Sequence, residues 1–199
     1  MIRTISLLVF GLAVVAPSLA RADAYAELGG GLVLPVSDND WTDSIDPSVG
    51  LAARIGGGGD VGGMFSFEWD PLSSNIDYVH FSRFRFLGHV VVHHRLNPKT
   101  ELTGRFGAGI DLIHSSVDAT ILGFRVQGSD SDAGLAFEAG GGAWFSVGRG
   151  STQIGVELAL PIAYHNSDGN PNNPNDPDDR KVDYTSVDIQ ILGGVRLRL

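Results

Sequence analysis

Beyond residue 24 the chain alternates apolar and polar residues, in eight segments separated by turn-forming residues. Successive side chains of an extended strand point to opposite faces, whereas the apolar positions of a helix recur every three to four residues. The pattern therefore prescribes strands with one apolar face. Segment one, about Ala24 to Val36, has Ala26, Leu28, Leu32, Leu34 and Val36 opposite Glu27, Gly29 and Gly31. Segment two, Pro47 to Gly57, sets Val49, Leu51, Ala53 and Ile55 against Ser48, Gly50, Arg54 and Gly56. Segment three, Val61 to Asp70, sets Val61, Phe65, Phe67 and Trp69 against Gly62, Met64, Ser66 and Glu68. Segment four, Asp77 to Leu96, has Phe84, Phe86, Val90 and Val92 opposite Arg83, Arg85, His89 and His93.

The second half repeats the design. Segment five, Glu101 to about His114, opposes Leu102, Phe106, Ala108, Ile110 and Leu112 to Glu101, Thr103, Arg105 and Asp111. Segment six, Ala133 to Val147, opposes Leu135, Phe137, Ala143 and Phe145 to Glu138, Gly140, Gly142 and Ser146. Segment seven, Thr152 to Tyr164, opposes Ile154, Val156, Leu158, Leu160 and Ile162 to Gln153, Gly155 and Glu157. Segment eight, about Asp183 to Leu199, opposes Val187, Ile189, Ile191, Val195 and Leu197 to Asp188, Gln190, Arg196 and Arg198.

The connectors alternate in length. Gly58-Gly59-Asp60, Asn97-Pro98-Lys99-Thr100 and Gly148-Arg149-Gly150-Ser151 are tight turns. Ser37 to Asp46, Pro71 to Ile76, Ser115 to Asp132 and His165 to Val182 are longer and polar, and read as loops. Short turns at one end and long loops at the other describe an up-and-down antiparallel barrel. In a transmembrane barrel the short turns are periplasmic and the long loops extracellular. Each segment holds the roughly 9–11 residues that a tilted strand needs to cross a bilayer.

A soluble barrel also alternates, with the apolar face inward. Three features point it outward here. The polar face is crowded with glycine, which weakens a solvated sheet but suits the narrow inside of an eight-stranded barrel. That face carries Arg54, Arg83, Arg85, Arg105, Arg196 and Arg198 together with Glu27, Glu68, Asp111, Glu138, Glu157 and Asp188, and no lysine. Arginine, with several donors per head group, suits buried ion-pair networks. Finally Trp69, Tyr78 and Tyr164 stand beside the long loops, and Phe106 and Phe145 nearer the short turns, all with apolar-face parity. Such belts mark membrane interfaces. The expected fold is all-β, an eight-stranded antiparallel up-and-down transmembrane β-barrel.

Arg3, the apolar run Ile5 to Val15 and the small-residue triplets Ala20-Arg21-Ala22 and Ala22-Asp23-Ala24 read as a secretory signal peptide over 1–24, with the barrel domain over 25–199. Cleavage after Ala22 is the fallback. The formal net charge of −9 and only two lysines exclude a nucleic-acid binder, which needs a basic face. The absence of cysteine excludes a disulfide scaffold and thiol catalysis.

GAGIDLIHSSVD (Gly107–Asp118), GSDSDAG (Gly128–Gly134), LAFEAGGGAWFSV (Leu135–Val147) and IGVELALPIAY (Ile154–Tyr164) resemble the outer-membrane β-barrel, porin-like family of OmpA-type small barrels. The resemblance implies insertion into the bacterial outer membrane, with the last strand read by the outer-membrane assembly machinery. Val195, Leu197 and Leu199 keep the alternating apolar ending, although the family's usual last residue is aromatic. Implied partners are outer-membrane lipid and lipopolysaccharide, for a chain expected to be monomeric.

Candidate chemistry is sparse. His93 and His94 are adjacent, so on a strand they point apart, and His89 and His93 lie about 13 Å from each other on one face. No metal site is expected. His114 and Ser116 resemble the His-x-Ser pair of outer-membrane lipid A deacylases. The carboxylate that pattern needs would fall at Gly128, and Asp118, Asp130 and Asp132 do not fit. Asn166 to Lys181 is rich in Asp, Asn and Pro, without the spacing of a calcium loop. The expectation is therefore a barrel without catalytic residues or cofactor, in a structural or surface-interaction role. Its lumen would be closed by Glu27, Arg54, Glu68, Arg85, Arg105, Asp111, Glu138, Glu157, Asp188 and Arg196. An adhesin or a lipid A deacylase-like hydrolase is the alternative.

Overall fold

The structure is a computed structural model that describes residues 24–36, 45–74, 78–121, 124–148, 151–167 and 182–199. The signal-peptide reading of residues 1–23 and most of the acidic stretch, 168–181, lie outside the described residues.

Nine strands follow in chain order: β1 (Tyr25–Pro35), β2 (Ile45–Asp46), β3 (Ser48–Gly58), β4 (Val61–Ser74), β5 (Val79–Asn97), β6 (Thr100–Ile121), β7 (Phe124–Ser146), β8 (Thr152–Ser167) and β9 (Val182–Arg198). The two-residue β2 only clips onto the end of β4, pairing Ile45 with Ser74 and Asp46 with Ser73. The other eight form a closed antiparallel ring, since β4 pairs with β5 and β1 with β9. Closure leaves the membrane-height part of the sheet without an edge.

The stagger follows from the register. A line of paired residues runs from Ala26 through Ile55, Phe65, Gly88, Ala108, Phe137, Ile162 and Val187. It returns just past β1 at Val36, whose N–H donates to the Val187 carbonyl at 2.9 Å. One circuit thus climbs ten residues, from Ala26 to Val36. A climb of that size tilts the strands by roughly 35–45° and sets a bore that side chains can fill.

Every residue on that line has outward parity. Around the circumference Leu28, Leu51, Val90, Phe106, Leu135, Val156, Leu158 and Val195 are exposed, while the intervening polar residues are buried. Among the turns, Gly58 has φ +144° and a Cβ there would sit 2.2 Å from the Gly62 Cα, so the β3–β4 turn accepts only glycine without strain.

One connector differs from expectation. Ser115 to Asp132 is not a long loop: β6 and β7 stay paired from Thr100↔Phe145 to Ile121↔Phe124. The segment lacks an apolar outward face, so the period-two count ends near His114. Backbone hydrogen bonding does not need that face, and the ladder continues as a polar hairpin beyond the apolar belt. Arg125 grips Asp118 through Nε at 3.0 Å and Nη2 at 2.6 Å near its tip. β4 and β8 likewise run on, to Ser74 and Ser167, into stretches that read as loops.

Candidate functional site: the charged lumen

Inward parity places a run of charges along the barrel axis. At the short-turn end Glu101 is the hub. Its carboxylate accepts from Arg196 Nη1 at 2.9 Å and Arg198 Nη2 at 2.7 Å, and lies 2.9 Å from His93 Nδ1. Arg196 also reaches Glu27 through Nε and Nη2, both at 3.2 Å. Its guanidinium lies 4.0 Å from the Trp144 ring centroid and 4.5 Å from that of Tyr25. Both rings are buried, and desolvated cation–π contacts of this kind are among the stronger ones.

Midway, Arg54 Nη1 donates to Glu27 and Glu157, each at 2.5 Å, and Nη2 lies 3.3 Å from Glu68. Arg105 donates through Nε to Glu138 at 2.6 Å and lies, through Nη1, 2.7 Å from Glu157. These pairs join β1, β3, β4, β6, β7 and β8 across the bore. His89 sits beside them with Nε2 2.9 Å from Ser66 Oγ. Towards the long-loop end Arg83 binds Asp70 at 3.0 Å and Asp188 at 2.6 Å, and Arg85 binds Asp70 and, at 3.4 Å, Glu68. His165 stands above them between Asp111 and Asp132.

Each of the ten lumen charges named from sequence is at least nine-tenths buried. Buried ions cost several kcal/mol each unless paired, so such a set is stable only as a network. Asp70, Glu101, His165 and Trp144 join it without having been singled out. Asp70 continues the Glu68 parity one step past Trp69. His165 does the same past Tyr164, and Trp144 faces inward from a strand on which Leu135, Phe137 and Phe145 face out. Trp69, Tyr78, Phe106, Phe145 and Tyr164 all face outward and are exposed.

The chemistry available is narrow. Each of Arg54, Arg83, Arg85, Arg105, Arg196 and Arg198 is committed to at least one carboxylate. His114 faces Ser131, with Nδ1 2.9 Å from Oγ, and cross-strand pairing sets it opposite Ser131 rather than Ser116. Ser116 stands opposite His80 on β5 and Ser129 on β7. Among the described residues no group of three His, Asp or Glu is arranged to hold a metal ion.

No protein-family model matches the sequence, and no curated protein matches it. Solved structures do. The chain is similar to Neisserial surface protein A, with a TM-score of 0.54 at 12% identity, over 88% of this chain and 97% of that one. It is also similar to Ail, the attachment invasion locus protein of Yersinia pestis, in a complex with the heparin analogue sucrose octasulfate. The TM-score is 0.50 at 17% identity, over 88% of this chain and 99% of that one. The fold is thus that of small eight-stranded outer-membrane barrels.

Proposed function

We propose that this protein is a small, non-catalytic barrel of the bacterial outer membrane, exported through an N-terminal signal peptide, with its lumen closed by arginine–carboxylate pairs. One observation carries the reading: each of the eight barrel strands presents exposed apolar side chains outward, around a bore packed with ions. Water would penalise that exterior, because a soluble protein rarely exposes apolar patches beyond a few hundred Å². A lipid environment removes the penalty and requires a closed sheet. The aromatic residues at the rims suit the two interfaces. In this reading the short turns are periplasmic and the longer polar connections extracellular. Contacts are with lipid and lipopolysaccharide, the last strand is recognised during assembly, and the chain works as a monomer.

The role is structural or one of surface interaction through the outer hairpins. The test is membrane fractionation followed by gel electrophoresis with and without boiling. The protein should partition with outer membranes and migrate differently before and after heating. A soluble periplasmic protein whose mobility ignores boiling would overturn the reading.

A further inference from the structure

At the short-turn end lies a cavity of about 220 Å³ lined by Tyr25, Gly58, Gly59, Asp60, His93, Arg95, Glu101, Arg196 and Arg198. Three guanidiniums face two carboxylates there, in a chain whose formal net charge is −9. Glu101 is already shared by Arg196, Arg198 and His93. Arg95, with the inward parity of His93, has no ion pair among the described residues. Among the described residues Arg198 spends only Nη2, on Glu101. Two buried polar atoms of lining residues, Tyr25 Oη and His93 Nε2, also lack a hydrogen-bond partner. Partnerless buried atoms occur elsewhere in the lumen too, Arg85 Nε and Gln190 Oε1 among them. What sets these two apart is that they line a cavity beside the uncommitted Arg95 and the half-committed Arg198, a donor-rich set that suits an anion.

We propose that this cavity binds a phosphate group. A phosphate accepts several N–H and O–H donors at once and matches the planar fork of arginine. Its protonated oxygen can donate to a bare His93 Nε2, and its other oxygens can accept from Tyr25 Oη, Arg95 and Arg198. The scaffold around it is fixed. Tyr25 fills the space that a side chain at Gly56 would need, since a Cβ there would come within 2.6 Å of the phenol oxygen. The His93 N–H donates to the Asp60 carbonyl at 2.8 Å, which ties β5 to the β3–β4 turn. Low-dielectric walls concentrate the field of the three arginines at the mouth. The site goes beyond the proposed structural role, because it gives this end a ligand. The same phosphate chemistry is offered by free phosphate and by the headgroup of an anionic lipid.

Trp144 supplies the reporter, because the Arg196 guanidinium that lines the cavity lies 4.0 Å from its ring centroid. The full barrel, refolded in zwitterionic micelles with Trp41→Phe and Trp69→Phe, is titrated with inorganic phosphate at constant ionic strength, with chloride as control. A saturable change in Trp144 emission with phosphate and none with chloride is expected. Arg95→Gln, which removes a cation without disturbing the network, should weaken the response about tenfold or more. Tyr25→Phe, which keeps the ring, should weaken it less. Nanodiscs of phosphatidylcholine and of phosphatidylglycerol, in phosphate-free buffer, then separate the sources. A phosphate-like signal with phosphatidylglycerol alone assigns the site to a lipid headgroup, and its absence assigns it to a soluble phosphate. A response that never saturates, that chloride reproduces, or that Arg95→Gln leaves intact would overturn the proposal.

Discussion

His165 Nε2 lies 2.9 Å from the Asp111 carboxylate, and both side chains are wholly buried although 54 residues separate them in the chain. The other ring nitrogen lies 3.0 Å from Asp132, and the ring stacks on Tyr184 with centroids 4.8 Å apart and planes 2° from parallel. Tyr184 Oη is 3.3 Å from the same Asp132 oxygen. The four residues join β6, β7, β8 and β9 where the bore meets the outer hairpins. The imidazole thus bridges two carboxyl groups from different strands, one through each ring nitrogen.

His165→Leu removes the imidazole from both carboxyl groups and leaves Asp111 buried without that partner. The expected cost is about 3–5 kcal/mol, read from urea unfolding in lipid vesicles. His165→Gln, which keeps a donor in the same region, should cost less than His165→Leu. An unfolding curve unchanged by His165→Leu would contradict the bridging role.

The outward face is tested by charge. Leu158→Arg, on an exposed site of β8, should cost roughly 2–4 kcal/mol in a bilayer. Gln190→Arg should cost less. It stays inside, where the buried carboxylates Glu27, Glu68, Asp70, Glu101, Asp111, Glu138, Glu157 and Asp188 outnumber the buried arginines Arg54, Arg83, Arg85, Arg105 and Arg196. Equal costs, or the reverse order, would favour an apolar-inside barrel.

How far the sequence carried these conclusions depends on what each residue had to reveal. Strand parity was legible because a one-residue slip would turn the exposed apolar rows into the lumen and the charges out to lipid. Arg54, Glu138 and their partners were visible as inward charges for that reason. Which arginine meets which carboxylate was not, because Arg54 and Glu157 lie 103 residues apart and meet only through the closed register. The hairpin over 115–132 stayed hidden for another reason. Its positions of outward parity, Ser116, Asp118, Thr120, Arg125, Gln127 and Ser129, are polar, while Val117, Ala119, Ile121, Phe124 and Val126 take the other parity, so the lipid-facing pattern stops although the backbone ladder continues.

Near that hairpin's tip the Arg125 guanidinium holds the exposed Asp118 carboxyl below the usual aspartate range. A carboxyl lowered in the folded state adds its pairing above its unfolded value and loses it as pH falls through the folded one. Amide resonances around Asp118 and Arg125 should therefore shift together on acidification below about pH 4, and salt should weaken the coupling. Asp118→Asn should abolish the transition without changing global stability measurably. Persistence of the transition in that variant would assign it to another group.

The exported chain should begin at Asp23. Cleavage after Ala24 would leave Tyr25 first and delete the Ala24 carbonyl, which accepts from the Leu199 N–H at 2.8 Å and ties the chain's two ends at the barrel seam. Cleavage after Ala22 keeps it. N-terminal sequencing of protein from outer membranes decides between the two, and a chain that starts at Met1 would remove the basis for export.

The last expectation concerns conduction. Arg54 and Arg105 meet at one oxygen of Glu157, Oε2, at 2.5 and 2.7 Å, while Arg105 also binds Glu138. These side chains span the middle of a bore only eight strands around, and their contacts are desolvated, so opening a path means separating ion pairs in a low-dielectric setting. Planar-bilayer recording of the purified protein should therefore show little or no steady current. Arg105→Ala leaves Glu138 without its guanidinium and Glu157 with one fewer. It should lower stability by about 3–5 kcal/mol or give brief openings as water enters to solvate the freed carboxylates. Glu138→Gln is the milder companion, since the amide oxygen still accepts from Arg105, and should keep the current low. A large, constant single-channel current from the unmodified protein would show that the network lines the lumen without closing it.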